Sequence, residues 1–483
     1  MATPADLERP DLIQTDLFGT GLIGPRTEHD AVRDRPVPAD QVLVGEQLTV
    51  PVLGGGLRRH VDLDAAATAS ASVAVSRAVA EFLPWYSSVH RGAGAKSRYT
   101  SERYDRARAT MLRFVGADPA THVAVFPRNT TEALNVLAFR LGLTRDDVVL
   151  TTAVEHHANL LPWRRYAQLR VVDVTAAGTF AAADVIAALD QRPTPRVLTL
   201  TGASNVTGWL PDLPEMVAAA RRRGVFVVVD AAQLAVHRPL QMAALGVDAV
   251  ALSGHKMYAP FGAGALVAPR ALFAEGEPLL VGGGAVRAVS VDDVVWADAP
   301  DREEAGSPNV VGVVALAAAA EELLGIGWPA LRAHEEAVTA ALDTELAGVP
   351  GLRRIGPTSG ERLPVAAFTV DGMPHGLVAA RLAHEHAIGV RSGCFCAHPY
   401  LSRLLSLTPA QVEQFHRDAR DGVQQLPGAV RASANRATTL ADVAALADAL
   451  RAIVASPEGA RRYAPDGHAQ YLPQAGEFSP AVS

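Results

Sequence analysis

The feature that most constrains the fold is an alternation, from about residue 60 to 325, of short β-branched runs with alanine-rich helical patterns. The strand-like runs are HVAVF, DVVLTT, RVLTLTG, VFVVVDAA and AVALSG. Apolar runs between amphipathic stretches are typical of strands buried on both faces in a parallel sheet. The chain is therefore predicted to have an α/β fold of βαβ units, with ligand sites at the carboxyl ends of the strands.

The pattern divides the 483-residue chain into four segments. Residues 1–58 are rich in Pro, Asp and Gly and are expected to form an N-terminal arm, followed by a large domain over 59–325. A long helical pattern, the strand-like VAAFTV and further helical stretches then predict a smaller α+β domain over 326–457. The tail, 458–483, has no periodicity and is expected to be mobile or draped over the surface.

Composition and charge exclude several classes of function. Hydrophobic residues make up 49% of the chain and charged residues 20%, as in a folded globular protein. The formal charge is −7 and no long basic run occurs, so nucleic acid is not an expected partner. No apolar run reaches the length of a bilayer span and no secretory signal is recognised, so a cytoplasmic location is expected.

The string SGHKMYAPFGAG carries the densest chemical signal. Lys256 follows the strand AVALSG and precedes a glycine-rich turn. A lysine at the end of a buried strand is placed to form an imine, although an ordinary surface lysine is the alternative. Asp230 ends the strand-like VFVVVD, where a carboxylate can pair with a protonated pyridine nitrogen or simply cap the next helix. The two residues together are more specific than either alone.

Two further strand ends carry polar side chains. Thr130 and Thr131 begin a helical pattern after HVAVF, where backbone amides and hydroxyls can cradle a phosphate or merely cap the helix. His156 and His157 follow DVVLTT, and an imidazole there can stack on a planar ring or belong to a polar turn. On these residues alone, the helix cap and the polar turn stay open as alternatives to a phosphate site and a ring-stacking site.

The chain has only two cysteines, Cys394 and Cys396. Such a pair excludes a scaffold stapled by several disulfides. A CxC pair also supplies at most two zinc ligands, so no metal site is predicted.

Seven motifs of this chain resemble, in order and spacing, those of the cysteine desulfurases in the class V aminotransferase group, especially its type II branch. They are TTEALN, EHHANLLPW, SNVTGW, VVVDAAQ, SGHKMYAPFGAG, EEAGSPNVVG and VRSGCFCAHPYL, and the resemblance covers about residues 60 to 455. It implies a pyridoxal phosphate (PLP)-dependent transferase fold of type I, with a mostly parallel seven-stranded sheet in the large domain. It also implies a homodimer that converts L-cysteine to L-alanine and passes sulfur to an acceptor protein.

The resemblance assigns roles to single residues. Lys256 holds PLP covalently, His156 stacks on its ring, Asp230 meets the pyridine nitrogen and Gln233 faces the phenolic oxygen. The phosphate ligands are Thr130, Thr131, Ser253, His255 and, reaching the neighbouring subunit's cofactor, Ser307.

For the substrate, the resemblance implies Asn205 and a carboxylate-binding arginine, Arg431, with Arg391 as a second candidate. A guanidinium suits a carboxylate because it binds both oxygens at once, although each arginine is also compatible with a plain salt bridge. Cys396 matches the cysteine that accepts sulfur as a thiolate and becomes a persulfide, with a buried structural cysteine as the alternative.

Three departures from the family's motifs stand out. Ala65 in LDAAAT replaces an asparagine, and Asn129 in RNTTE replaces a glycine. The string GCFC and the segment ASANRATTLADV are similar to the molybdenum cofactor sulfurases instead. Cys394 is therefore open to three interpretations: it relays sulfur, forms a reversible bond with Cys396, or has no role.

Two other functions remain open on the sequence. The first is a PLP-dependent lyase or aminotransferase-like biosynthetic enzyme, such as a C–S lyase or selenocysteine lyase, that does not use Cys396. The second is a catalytically silent scaffold, against which the intact Lys256, Asp230 and His156 argue.

Overall fold

The computed structural model describes residues 41–423, 426–466 and 470–474. In chain order the strands are β1 (Thr49–Pro51), β2 (Leu57–Arg59), β3 (Val61–Asp62), β4 (His122–Val125), β5 (Val148–Thr152), β6 (Gln168–Val172), β7 (Val197–Thr201), β8 (Phe226–Asp230), β9 (Ala249–Ser253), β10 (Gly264–Pro269), β11 (Val286–Val289), β12 (Val294–Trp296), β13 (Leu352–Ile355), β14 (Val365–Val370), β15 (Ile388–Gly389), β16 (Arg391–Gly393), β17 (Ala429–Ser433), β18 (Tyr463–Pro465) and β19 (Tyr471–Pro473).

The α-helices are α1 (Val73–Phe82), α2 (Ala95–Phe114), α3 (Thr130–Arg140), α4 (Leu161–Tyr166), α5 (Ala182–Leu189), α6 (Leu213–Arg221), α7 (Leu234–His237), α8 (Met242–Leu245), α9 (Val310–Ile326), α10 (Trp328–Ala347), α11 (His375–His386), α12 (His398–Leu404), α13 (Pro409–Arg420) and α14 (Leu440–Ala455). Short 3-10 turns lie at Leu83–Trp85, His157–Asn159, Gly254–Lys256, Arg270–Phe273, Asp301–Glu303 and Pro457–Arg462.

The large sheet has seven strands in the order β4-β10-β9-β8-β7-β5-β6. Only β10 runs antiparallel to its neighbours, so the prediction of a mostly parallel seven-stranded sheet is confirmed. Side chains alternate between the two faces of each strand. In β9, Val250 and Leu252 belong to the hydrophobic core cluster that also contains side chains of α1, α2 and α9. Ala249 and Ala251 belong to a second hydrophobic cluster, with side chains of α3 and α4. Both faces are therefore covered, as the apolar runs predict.

The second sheet has four antiparallel strands in the order β13-β14-β17-β16. It packs against α10, α11 and α14 around a separate core that includes Phe368 and Val430. The short parallel pair β3–β15 and a bridge between Asp64 and Ser433 attach residues 61–64 to this sheet. As a result, Asp64 lies near the end of β17. The predicted domain boundaries themselves stay predictions.

The tail contains more regular structure than the sequence indicated. Strands β18 and β19 form an antiparallel hairpin. Tyr463 is buried in a small cluster with Leu53, Leu377 and Ala380, and its hydroxyl donates to Glu385 at 3.0 Å. One buried aromatic anchor thus orders strands of three residues, which are too short to show periodicity in the sequence. Residues 1–40 and 475–483, the outer parts of the predicted arm and tail, lie outside the described residues.

Within the part of the chain that the structure describes, no single helix is both long enough and apolar enough to cross a membrane. Helices α9 and α10 satisfy length and composition only as a pair, and they are bent by 84° at the break between them. The apolar side chains of α9 are largely buried in the main core, Leu316 and Leu323 among them.

Candidate active site

A cavity of about 540 Å³ opens at the carboxyl ends of β4, β5, β7, β8 and β9, with β16 and β17 of the second sheet on its other side. Ligand sites in open α/β sheets gather at this edge because the loops that follow the strands meet there. Twelve of the thirteen residues predicted for the site line this cavity: Thr130, Thr131, His156, Asn205, Asp230, Gln233, Ser253, His255, Lys256, Arg391, Cys396 and Arg431.

Lys256 ends the 3-10 turn that follows β9. Two hydrogen bonds of Gly254 fix this turn, because its N–H donates to the Ala263 carbonyl at 2.8 Å and its carbonyl accepts the Met257 N–H at 2.8 Å. Burial lowers the pKa of the Lys256 amine to about 8, and the charge of Asp230 offsets part of that effect. A substantial fraction of the amine is therefore neutral near physiological pH, as a nucleophile or base requires.

Asp230 is a buried carboxylate at the end of a central strand. One of its oxygens accepts the N–H of Ala232 at 2.9 Å. Burial raises the pKa of Asp230, and Lys256 opposes the shift. A carboxylate held away from water favours a cationic partner. Nearby, the Gln233 side-chain amide donates to the Ala66 carbonyl at 2.7 Å, which fixes the orientation of the amide.

The N-terminus of α3 borders the same cavity. Asn129 caps the helix by accepting the Glu132 N–H at 3.0 Å. Thr130 contacts the Ser253 hydroxyl through both its N–H, at 2.8 Å, and its own hydroxyl, at 2.9 Å. Thr131 remains exposed at the helix end. Free amides and hydroxyls at a helix N-terminus form a natural anion site.

A glycine allows this anion site to form. A Cβ on Gly264, the first residue of β10, would lie 2.6 Å from the Leu252 carbonyl oxygen and 2.9 Å from the Asn129 Cα. Both neighbours are backbone atoms and cannot rotate away. The absence of a side chain at Gly264 therefore lets β10 pass close beneath the loop that begins α3.

Two histidines border the cavity in the neutral state. Burial, and secondly the charge of Lys256, lowers the pKa of His156 to about 3. His156 Nδ1 accepts the N–H of Ala158 at 3.0 Å, which leaves the proton on Nε2. The same two causes lower the pKa of His255 to about 4, and its Nδ1 contacts the Thr68 hydroxyl at 3.0 Å. His156 thus presents a neutral aromatic ring to the cavity, as stacking requires.

A buried polar network beneath His156 was missed by the sequence reasoning. Glu155 accepts from Thr152 at 2.8 Å and from Asn159 at 2.7 Å, and Asn159 in turn accepts from Thr199 and Trp163. Burial raises the pKa of Glu155 to about 8 despite these hydrogen bonds. The network fixes the turn that carries His156. Its signal was present in the string EHHANLLPW, read only for its histidines.

The two arginines share one carboxylate. Arg431 donates from Nη2 to Asp64 at 3.2 Å and from Nη1 to the Asn205 carbonyl at 2.9 Å, while Arg391 contacts the other oxygen of Asp64 at 3.0 Å. The Arg431 side chain is only 3% exposed and that of Arg391 is 51% exposed. Burial lowers the pKa of Arg431 to about 10. Asp64 was not among the predicted site residues, although it lies in the motif LDAAAT.

Cys396 is presented by a tight turn on the cavity wall. The Phe395 carbonyl accepts from Asn205 Nδ2 at 2.7 Å, and the Cys396 carbonyl accepts from the His157 N–H at 2.8 Å. The guanidinium of Arg431 lies 5.1 Å from the centre of the Phe395 ring. Cys396 is exposed, so the alternative of a buried structural cysteine is wrong.

Ser307 is the predicted site residue that the cavity does not include. It lines a second cavity of about 870 Å³ with residues 86–91 and with part of the segment 283–287. Within this chain it does not meet the other predicted phosphate ligands. Its assignment to a neighbouring subunit's cofactor stays a prediction.

A comparison with models of protein families shows to which family the chain belongs. The model of the family described as aminotransferase class-V matches residues 61–446, which is most of the sequence. The chain belongs to this family. The seven-stranded sheet and the second sheet both fall within the match, which identifies the fold as that of the class-V aminotransferases.

Two relatives of this class-V family member are named cysteine desulfurases. A protein of Mycobacterium leprae named probable cysteine desulfurase 2 is 37% identical over 383 residues, which cover 76% of this chain and 90% of the relative. A probable cysteine desulfurase of Halobacterium salinarum is 34% identical over 415 residues, covering 83% of this chain and 95% of the relative.

Solved structures similar to this class-V family member agree. The apo cysteine desulfurase from Thermococcus onnurineus NA1 has a TM-score of 0.73 and 29% identity, over 82% of this chain and 95% of its own. The cysteine desulfurase CsdA from Escherichia coli has a TM-score of 0.69 and 32% identity, with the same two coverages. The predicted resemblance to this family is therefore confirmed.

Proposed function

We propose that this chain is a PLP-dependent cysteine desulfurase, which converts L-cysteine to L-alanine and keeps the sulfur on Cys396 as a persulfide. The proposal depends on one observation: a single cavity is lined by Lys256 at the end of a strand, by the buried carboxylate of Asp230 and by the exposed Cys396. The names of the relatives at 34–37% identity support the same reaction.

The residues of the cavity fit PLP. Asp230 is buried with a single backbone donor, Ala232, so its carboxylate suits a protonated pyridine nitrogen. The α3 N-terminus with Thr130, Thr131, Ser253 and His255 suits the phosphate. Lys256 would attach the cofactor covalently, and His156 and Gln233, which line the same cavity, would hold its ring. When bound, PLP supplies an electron sink that stabilises negative charge at the substrate Cα.

The substrate's carboxylate is assigned to Arg431. This guanidinium is buried, and both its position and that of Asn205 are fixed by hydrogen bonds. A fixed, desolvated guanidinium binds a carboxylate through two parallel hydrogen bonds. Asn205 lies beside it with its amide donated to Phe395, so it also couples the substrate site to the cysteine turn.

Lys256 and Cys396 carry the proton and sulfur steps. The neutral form of the Lys256 amine is available to take the Cα proton, since burial lowers its pKa to about 8. The Cys396 thiolate attacks the sulfur of L-cysteine, so that an S–S bond forms as the substrate's Cβ–S bond breaks. Cys396 lies within electrostatic reach of Lys256 and Arg431, since a negative charge on Cys396 raises the pKa of both groups.

We assign covalent attachment to Lys256, and the chain offers a matched control for this step. It contains one other lysine, Lys96, which is exposed at the start of α2. After PLP is added and borohydride reduces the adduct, peptide mapping is expected to find the label on Lys256 in wild type and in Lys96→Ala. Lys256→Ala is expected to show no label. Label on Lys96 alone would contradict the assignment.

The reaction is tested by its products. PLP-loaded protein with L-cysteine and a thiol reductant is expected to release alanine and sulfide in equal amounts, and Cys396→Ser neither. Pyruvate in place of alanine, or full turnover by Cys396→Ser, would instead identify a C–S lyase and overturn the desulfurase.

We also propose a homodimer. The hairpin β11–β12, next to the second cavity that contains Ser307, exposes the apolar side chains of Val289, Val291 and Val295. A second copy of this chain that covers the hairpin would remove these side chains from water. It would also bring Ser307 of the first copy near the proposed active site of the second copy. The molar mass from light scattering tests this, with twice the chain mass expected and a monomer contradicting it.

A further inference from the structure

Two thiols, rather than one, line the wall of the proposed active site. Cys394 and Cys396 lie in one turn, which is closed by a hydrogen bond of 3.0 Å from the Ala397 N–H to the Cys394 carbonyl. The two central residues, Phe395 and Cys396, have φ values of 57° and 53°. Positive φ at both central positions is the pattern of a type I′ turn, which reverses the chain tightly.

The turn places the two cysteines close together on one wall of the cavity. Both cysteines line the same cavity, and the backbone and thiol of Cys396 are among the groups that influence the pKa of Cys394. In a left-handed helical conformation, Cα atoms two residues apart are separated by about 5.4 Å, within the range of about 4.4–6.8 Å that disulfides span. The spacing of the two cysteines in the turn is therefore compatible with a disulfide between them.

The two thiols have different surroundings. Cys396 is exposed at the mouth of the cavity, whereas Cys394 is half-buried and packs against the main core. Burial raises the pKa of Cys394, so its thiol is largely protonated at neutral pH. A thiol in this state attacks slowly but, once deprotonated, is a strong nucleophile.

We propose that Cys394 is a resolving cysteine, which releases the sulfur held on Cys396 when no acceptor removes it. This inference rests on the proposed function, because the sulfur must first reach Cys396. The Cys394 thiolate attacks the inner sulfur of the Cys396 persulfide, forming the Cys394–Cys396 disulfide and expelling HS⁻. The two cysteine sulfurs together lose the two electrons that reduce the terminal sulfur to sulfide, and the proton of Cys394 passes to water.

This reaction makes the enzyme self-limiting. The disulfide form has no thiolate at Cys396, so it cannot accept sulfur again until a thiol reductant, such as a small dithiol, restores both cysteines. Because Cys394 is mostly protonated, the persulfide survives long enough to meet an acceptor. Without an acceptor, each site releases one sulfide and stops.

The test uses PLP-loaded full-length protein with one equivalent of L-cysteine per site, without oxygen or any other thiol. Samples are alkylated over time, and peptide mass, alanine and sulfide are measured. Wild type is expected to form about one alanine per site, then to convert the Cys396 persulfide into the Cys394–Cys396 disulfide as sulfide appears. Cys394→Ser is expected to keep its persulfide, with sulfide release at least tenfold slower. A sample without L-cysteine controls for adventitious oxidation.

Two outcomes overturn the proposal and are told apart by the alanine yield. If alanine forms but the wild-type persulfide persists on Cys396, or is found on Cys394, the resolving role fails while the proposed function stands. If wild type forms no alanine, the proposed function fails and the resolving role fails with it. The wild-type time course alone decides the matter even if Cys394→Ser does not fold.

Discussion

At the scale of single residues, burial decides the charge state of the proposed active site. The pKa of Lys256 falls to about 8, that of His156 to about 3 and that of His255 to about 4, with desolvation as the largest cause in each case. These shifts all favour neutral bases in a cavity that also contains Asp230 and Arg431. The residues therefore suit proton transfer and anion binding together.

The Lys256 shift predicts a pH dependence for PLP binding. Covalent attachment needs the neutral amine, so the rate of attachment to the apoprotein should rise about tenfold per pH unit below about 8 and level off above it. Stopped-flow absorbance on mixing with PLP measures this rate. Because the Asp230 charge raises the pKa of Lys256, Asp230→Asn should move the midpoint to lower pH. A wild-type midpoint near the ordinary lysine value would contradict the role of burial.

The two arginines should differ in their effect on substrate binding. Arg431→Lys removes a buried guanidinium, and losing a charged hydrogen bond of about 1.5–3 kcal/mol corresponds to a roughly 10- to 150-fold rise in KM for L-cysteine. Arg391→Lys changes an arginine whose side chain is half exposed, so its effect should stay within a few-fold. Steady-state kinetics of both variants test the assignment, and the reverse order would give the carboxylate to Arg391.

At the scale of elements, the site depends on close approaches between strands and loops. Gly264→Ala should push β10 away from the loop at Asn129, because the new Cβ meets backbone atoms. Overpacking of this kind costs about 1–3 kcal/mol and should also weaken PLP binding. Gly325→Ala is the matched control: nothing lies within 4 Å of its added Cβ, and because Gly325 lies in α9, alanine is expected to stabilise the protein by up to about 1 kcal/mol and leave PLP binding unchanged. Denaturation and PLP titration measure both effects, and equal behaviour of the two variants would refute the argument.

The sequence predicted the elements that carry the site better than the contacts within it. Lys256, Asp230 and His156 follow long apolar runs, and the ends of parallel strands converge, so their meeting in one cavity was predictable. The partnership of Asp64 with Arg431 was not, because β3 and β17 are far apart in the chain and meet through the second sheet. The hairpin β18–β19 was missed because three-residue strands show no measurable alternation.

At the scale of the whole molecule, a buried ion cluster links the regions around the two sheets. Glu335 on α10 contacts His237 Nδ1 at 2.6 Å and Arg238 at 2.5 Å, both at the end of α7. Burial alone would raise the pKa of Glu335, but the two partners outweigh it and lower the pKa. Helix α10 also packs against α14, so this cluster couples the second sheet to the large one.

Removing the negative charge of Glu335 from this cluster should destabilise the protein. Glu335→Gln leaves the buried Arg238 with Glu361 as its remaining acidic partner among the described residues, at a cost of roughly 1.5–3 kcal/mol in the free energy of unfolding. Glu336→Gln, in an exposed pair with Arg332 on the same helix, should cost about 0.5 kcal/mol or less. Urea denaturation of the apoproteins compares them.

The same variants test whether the pKa of Glu335 is lowered in the folded protein. Since the folded pKa of Glu335 is lowered, its stabilisation is present at neutral pH and is lost as the pH falls below the ordinary glutamate range. The difference between wild type and Glu335→Gln should therefore shrink in acid. A difference that grows there would contradict the ion cluster.

The central claim is that Lys256 and Cys396 perform separable tasks in one cavity, and one comparison tests it most directly. Cys396→Ser is assayed with L-cysteine and with L-cysteine sulfinate, whose sulfur leaves as sulfur dioxide and needs no thiol to accept it. For Cys396→Ser, alanine formation from L-cysteine is expected to fall to background, while alanine formation from the sulfinate stays within a few-fold of wild type. Equal loss on both substrates, or equal retention on both, would contradict the assignment of Cys396 as the sulfur acceptor.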